Sequence, residues 1–233
     1  MINHINDIIN TYPYVVAPFL GIIPALFWLW FWLKEDPHHE PWRRLTICFL
    51  LGMSVVFITL PLQKMIQSFI SNTSILFFIW ASIEEILKFM AAWIGGIHSK
   101  SDDEPIDPLI YLITTALGFV SLENTLFLLD PLVSGHINEV FITGNMRFIG
   151  ASLLHIASSA SIGIFIAFSF YKPFKKRILY TIMGLILAIF LHTYFNLFII
   201  HLSGNNLFFV FASVWFCIIL LMLIFEKIKH IIT

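Results

Sequence analysis

The sequence predicts an all-α, polytopic membrane protein with about seven transmembrane helices. Three observations carry that expectation. The 233 residues are 59% hydrophobic and only 12% charged, against about 25% charged in an average soluble domain. The apolar residues fall into long runs of the length a bilayer requires, separated by breaks rich in charge, proline or polar residues. Lysine and arginine crowd into alternate breaks, as they do in cytoplasmic loops. No break is long enough for a soluble domain, so residues 1–233 read as one integral-membrane domain. A net charge of −1 says nothing about nucleic acid, no basic tract exceeds Lys175-Lys176-Arg177, and no nucleic-acid partner is expected. The lipid bilayer is the expected surroundings.

The runs are taken in order. The segment Met1 to Asn10 has no basic stretch before the first apolar run and does not read as a cleaved signal peptide. The first helix is expected over 13–33, with Trp28, Trp30 and Trp32 forming an interfacial belt at its inner end. The second, over 45–61, is the shortest and is expected to end at Pro61, because proline has no N–H for a helix interior. The third, over 74–97, spans roughly 24 residues, or about 36 Å. It carries Glu84, Glu85 and Lys88 in its middle. The fourth, over 107–130, carries Gly118-Phe119-Val120-Ser121-Leu122-Glu123-Asn124. The fifth, over 147–171, presents Arg147, Ala151, His155, Ser159 and Gly163 at spacing four. The sixth, over 178–201, presents Gly184, Ala188, His192 and Asn196 at the same spacing. The seventh is expected over 206–226. A stripe of small residues around a polar one marks a face packed against other helices. Cys48 and Cys217 lie in apolar runs and read as packing residues, not as a disulfide or a zinc pair.

With the N-terminus outside and the C-terminus cytoplasmic, the inner side receives Lys34, Arg43, Arg44, Lys100, Lys172, Lys175, Lys176, Arg177, Lys227 and Lys229. The outer side receives only Lys64 and Arg147, a bias that fixes the expected orientation. In that orientation Glu84, Glu123, His155 and His192 all fall roughly 10–15 Å below the outer surface, counted at 1.5 Å per residue. Four successive helices thus bring two carboxylates and two imidazoles to one layer.

A charge at the centre of a membrane helix costs roughly 2.5–3.5 kcal/mol and marks function by default. Glu84 and Lys88 are four apart and are expected to pair on one face. Glu85 lies about 100° round the helix and needs a partner elsewhere. Buried Glu and His suit general acid–base work. A Glu or His would take a proton from water, and His192 with Asn196 would stabilise an oxyanion. No cofactor is expected. Zinc stays open, because His and Glu also bind it. No Gly-x-Ser-x-Gly motif is present, which argues against a serine nucleophile. A proton- or ion-coupled secondary transporter is the alternative, since intramembrane Glu, Lys and His also mark ion pathways. Against it, no pair of broken half-helices recurs in two matching halves. Arg147 also reads as a head-group anchor, His155 as a core histidine, and Asp102-Asp103-Glu104 as a solvated loop.

Four motifs carry a resemblance. Glu84-Glu85-x-x-Lys88, Phe119-x-x-x-Glu123-Asn124, Arg147 with His155, and His192-x-x-x-Asn196 resemble those of the PrsW family. That family is a branch of the glutamic intramembrane protease group, which also includes the type II CAAX prenyl endopeptidases. The loop Glu35-Asp36-Pro37-His38-His39-Glu40-Pro41-Trp42 is similar to the family's acidic first loop. The resemblance covers about half the chain, with the catalytic helices within 74–201. It implies a multi-pass protease of the bacterial inner membrane that makes a site-1-type cut in a membrane-anchored protein, an anti-sigma factor, near the outer face. It implies Glu84 as the water-activating residue, Glu85 as its support, His192 as catalytic and Asn196 as an oxyanion donor. Glu123, which stands where the CAAX relatives place a histidine, and His155 complete the candidate catalytic set. Lys88, Asn124 and Arg147 are the supporting residues. Lys88 departs from the arginine, one residue later, of those relatives.

Overall fold

A computed structural model describes residues 11–201 and 207–231, and within them every regular element is helical. In chain order these are α1 (Pro13–Lys34), α2 (Trp42–Gln67), α3 (Thr73–Ala92), α4 (Asp107–Val133), α5 (Ile137–Met146), α6 (Ser152–Phe168), α7 (Phe174–His201) and α8 (Leu207–Ile228). A π-helical turn, Trp93–Ile97, extends α3, and a second, Arg147–Ala151, joins α5 to α6. Among the described residues six stretches are long and apolar enough to cross a membrane, with Ile137–Phe168 counted as one. The 20-residue α3 is of membrane length too and differs by carrying three ionisable side chains. The expectations for Met1 to Asn10 and for the break at 203–206 lie outside the described residues.

The centre of the bundle is α4. Every residue from Asp107 to Ser121 is buried, the pattern of a helix apolar all round. It packs against α1, α2, α3 and α6. Glycine permits the closest crossing. A Cβ at Gly52 would strike the Thr115 carbonyl oxygen, and one at Gly118 would strike that of Phe49, so α2 and α4 touch backbone to backbone. Gly163 does the same for α6 against Leu109. Outside, Phe19, Phe57, Phe190 and Phe216 are exposed, as lipid-facing side chains would be.

Three expectations about elements are corrected. The second helix continues through Pro61 to Gln67, because a membrane bundle re-satisfies the carbonyl that proline frees. The break expected over Pro131 to Asn145 contains α5. Of the three tryptophans expected in a belt, only Trp30 is exposed. Trp28 and Trp32 are buried, and Trp28 Nε1 donates to the Phe148 carbonyl at 3.1 Å.

The loops at the Lys34 end of α1 form a polar cluster. Asp36 accepts from the backbone N–H of His38 and Glu40. Tyr111 donates its hydroxyl to Glu40. Asp107 accepts from the N–H of Asp103 and Glu104. The loop read as solvated is therefore partly drawn in. Burial pushes the Asp102 carboxyl up to about 7 against the pull of Arg177, and it also raises Glu40.

Candidate active site

Helix spacing decides which side chains meet. On α3 the buried positions are Leu76, Ala81, Glu84, Glu85, Lys88, Ala91 and Ala92, a single face that places all three ionisable groups inward. On α6 the run of small buried residues from Ala157 to Ser161 lets α3 and α7 approach.

Glu85 and Lys88 are the most enclosed, each with no exposed surface. Lys88 Nζ donates to Glu85 Oε1, so the ion pair is i,i+3. The expected Glu84–Lys88 pair is corrected. Glu85 sits where Ser158 and Ser159 of α6 each donate to it at 2.9 Å and His192 Nδ1 approaches at 2.7 Å. Four donors gather round one carboxylate, and the lysine goes to it. Lys88 Nζ also lies 3.1 Å from His155 Nδ1. An ammonium only donates, so Nδ1 accepts and Nε2 carries the ring proton. That Nε2 lies 3.2 Å from Glu123 Oε2.

Glu123 has a second partner. Arg147 donates through Nη2 to Glu123 and through Nε to Asn124 Oδ1, while its guanidinium stacks 3.9 Å from the Phe127 ring centre. The π-helical turn at Arg147–Ala151 starts on this residue. The head-group-anchor reading of Arg147 gives way to an inward, paired one, and His155 is a network member and not an isolated core histidine.

Glu84 is placed differently. Gln63 Nε2 donates to its Oε1 at 2.7 Å. Its Oε2 is buried and has no hydrogen-bond partner among the described residues. That oxygen lies 3.6 Å from His192 Nε2, beyond hydrogen-bond length. The His155 and His192 rings stand edge to face with centres 4.9 Å apart. The structure thus brings Glu84, Glu85, Lys88, Glu123, His155 and His192 into one contiguous network, flanked by Asn124 and Arg147. Asn196 lines the same cavity one turn beyond His192.

That cavity has a volume of about 760 Å³ and lies among α2, α3, α4, α6 and α7. Leu60, Gln63, Lys64 and Gln67 form the α2 wall. Sequence reasoning missed Gln63 because its helix was ended at Pro61. The signal available was polar spacing, since Gln63 and Gln67 stand four apart beyond the proline.

The donor set also bears on a metal. Glu84, His155 and His192 each offer a ligand atom within 4.8 Å of the others, and all three are buried. Two histidines and a glutamate match catalytic zinc donors. Glu85 on Nδ1 of His192 supplies the carboxylate that orients a ligating imidazole. Glu84 Oε2 is free to ligate, and His155 would exchange one of its present partners. The residues fit a divalent ion.

Helices long and apolar enough to span a bilayer, set around a cavity lined in part by carboxylates and imidazoles, define a multi-pass membrane protein. The chain belongs to the PrsW family of intramembrane proteases. The family profile described as "PrsW family intramembrane metalloprotease" matches residues 40–224. Similar relatives are the proteases PrsW of Geobacillus kaustophilus, 28% identical over 74% of each chain, and of Bacillus subtilis, 26% identical over 79% of this chain and 83% of the relative. That of Halalkalibacterium halodurans is 23% identical over 90% and 94%. No solved structure matches the chain. Membership decides for the protease over the carrier.

Proposed function

We propose that the protein hydrolyses a peptide bond of a membrane-anchored protein near the outer face of a bacterial inner membrane, with water activated by Glu84. The observation that carries this reading is the unpartnered, buried Glu84 Oε2 facing His192 Nε2 at 3.6 Å. Water seated in the cavity beside both atoms would give a proton to Glu84 and attack the carbonyl carbon, and as the C–N bond breaks Glu84 would pass that proton to the leaving amine nitrogen. Glu85 holds His192 through Nδ1, so Nε2 is the atom that meets the reacting groups. His192 and Asn196 would stabilise the oxyanion. Glu123 and His155 form the opposite wall, kept in place by Arg147 and Lys88. The distribution of Lys and Arg supports an outside N-terminus, with this layer in the outer half of the bilayer. A site-1-type cut in an anti-sigma factor is the substrate reading that goes with the family resemblance.

The spacing of Glu84, His155 and His192 favours a second, metal-assisted reading. A bound divalent ion would lower the pKa of its water and polarise the carbonyl. The test is cleavage of single-span membrane proteins in liposomes by the wild type, Glu84→Gln and His192→Ala, with and without chelator. Loss of at least 100-fold in both variants is expected. Indifference to chelator supports the glutamic reading. Loss with chelator and recovery with zinc supports the metal reading. Full activity of Glu84→Gln would sink both.

A further inference from the structure

Neither the motifs nor the family resemblance assigns a role to Gln63. Resting on the proteolytic reading above, we infer that Gln63 is a positioning residue that selects which oxygen of Glu84 meets the water. A carboxylate has two equivalent oxygens. Here Oε1 is occupied by the Gln63 amide at 2.7 Å, which leaves Oε2 as the one turned toward His192. The main-chain carbonyl of Gln63 is held as well. Trp80, one turn before Glu84 on α3, donates its Nε1 to the Gln63 carbonyl at 3.2 Å. Two hydrogen bonds, one through backbone and one through side chain, therefore fasten the segment of α2 beyond Pro61 to α3. The choice of donor matters too. Glu85 is met by an ammonium, which compensates its charge. Glu84 is met by a neutral amide, which fixes its direction and leaves its charge for the reaction. Gln63 touches no bond-making atom in this arrangement. It acts through Glu84.

Two measurements on the full chain test this. The first is steady-state cleavage in liposomes of a single-span reporter whose outer juxtamembrane segment is a randomised ten-residue library, with products sequenced. Gln63→Met keeps length and removes the donor. Gln63→His restores an N–H at similar reach. Gln63→Met is expected to lower kcat roughly 10- to 100-fold, as a misdirected catalytic group does, with KM within about twofold. Gln63→His is expected to recover most of the loss. The second is a thermal-unfolding cycle of wild type, Gln63→Met, Glu84→Met and the double variant. It needs no substrate and is expected to be non-additive. An additive cycle, a Gln63→Met protein with full kcat, or a loss carried wholly in KM would overturn the inference. A wild type that cuts no library member removes the proteolytic reading and the inference with it, while a non-additive cycle still establishes the contact.

Discussion

Glu85 touches Lys88, His192, Ser158 and Ser159, whereas Glu84 accepts from one neutral amide and keeps one oxygen without a hydrogen-bond partner among the described residues. The residue types at these positions were legible in the sequence, and so was their common depth. The pairing was not. Spacings of three and four both bring side chains together on a helix, and only the donors arriving from α6 and α7 decide between Glu84 and Glu85. A buried ion pair is far costlier to halve than to form. Lys88→Met should therefore leave Glu85 uncompensated and destabilise the protein by about 3–5 kcal/mol. The double variant Lys88→Met/Glu85→Gln should recover part of that loss. Thermal unfolding in one detergent checks both. Equal melting temperatures for wild type and Lys88→Met would show that the pair contributes nothing.

At the level of helices, the apolar runs located α3 and the six candidate spans found among the described residues. Their ends were less legible. Pro61 looks like a stop when the chain is considered alone, because its missing N–H leaves a carbonyl open. In the bundle the helix continues, and the turns beyond the proline become the cavity wall. The π-helical turn at Arg147–Ala151 has no sequence signature that we could identify. The glycines are more telling. Gly118 was visible as part of a motif, yet its reason lies in the neighbouring helix, where the Phe49 carbonyl leaves no room for a methyl group. Gly118→Ala should push α2 from α4, cost about 1–3 kcal/mol or more, and lower cleavage by disturbing the α2 wall. Unfolding and cleavage measured together would expose the error if Gly118→Ala matched the wild type in both.

For the molecule as a whole, the site lies in one layer and the polar loop cluster around Glu40, Asp102 and Asp107 lies at the other end of the helices that carry it. Asp102 has its folded-state pKa raised to about 7 by burial. A carboxyl raised in this way binds a proton more tightly folded than unfolded. Its contribution to stability is full at low pH and is lost as pH rises through about 7. The melting temperature should drop by a few degrees between mildly acidic and mildly alkaline buffer. Asp102→Asn should flatten that part of the profile. A wild-type profile already flat across neutral pH would remove Asp102 as its cause.

The ionisable side chains of the site form one contiguous network, held among helices of membrane length. On the proposed function, this arrangement turns the protein into a ruler. The bond that is cut would be chosen by its height in the bilayer more than by the side chains on either side of it. Lengthening the outer stem of a target would slide a different bond into the same plane, and the scissile position would move along the sequence while staying fixed in space.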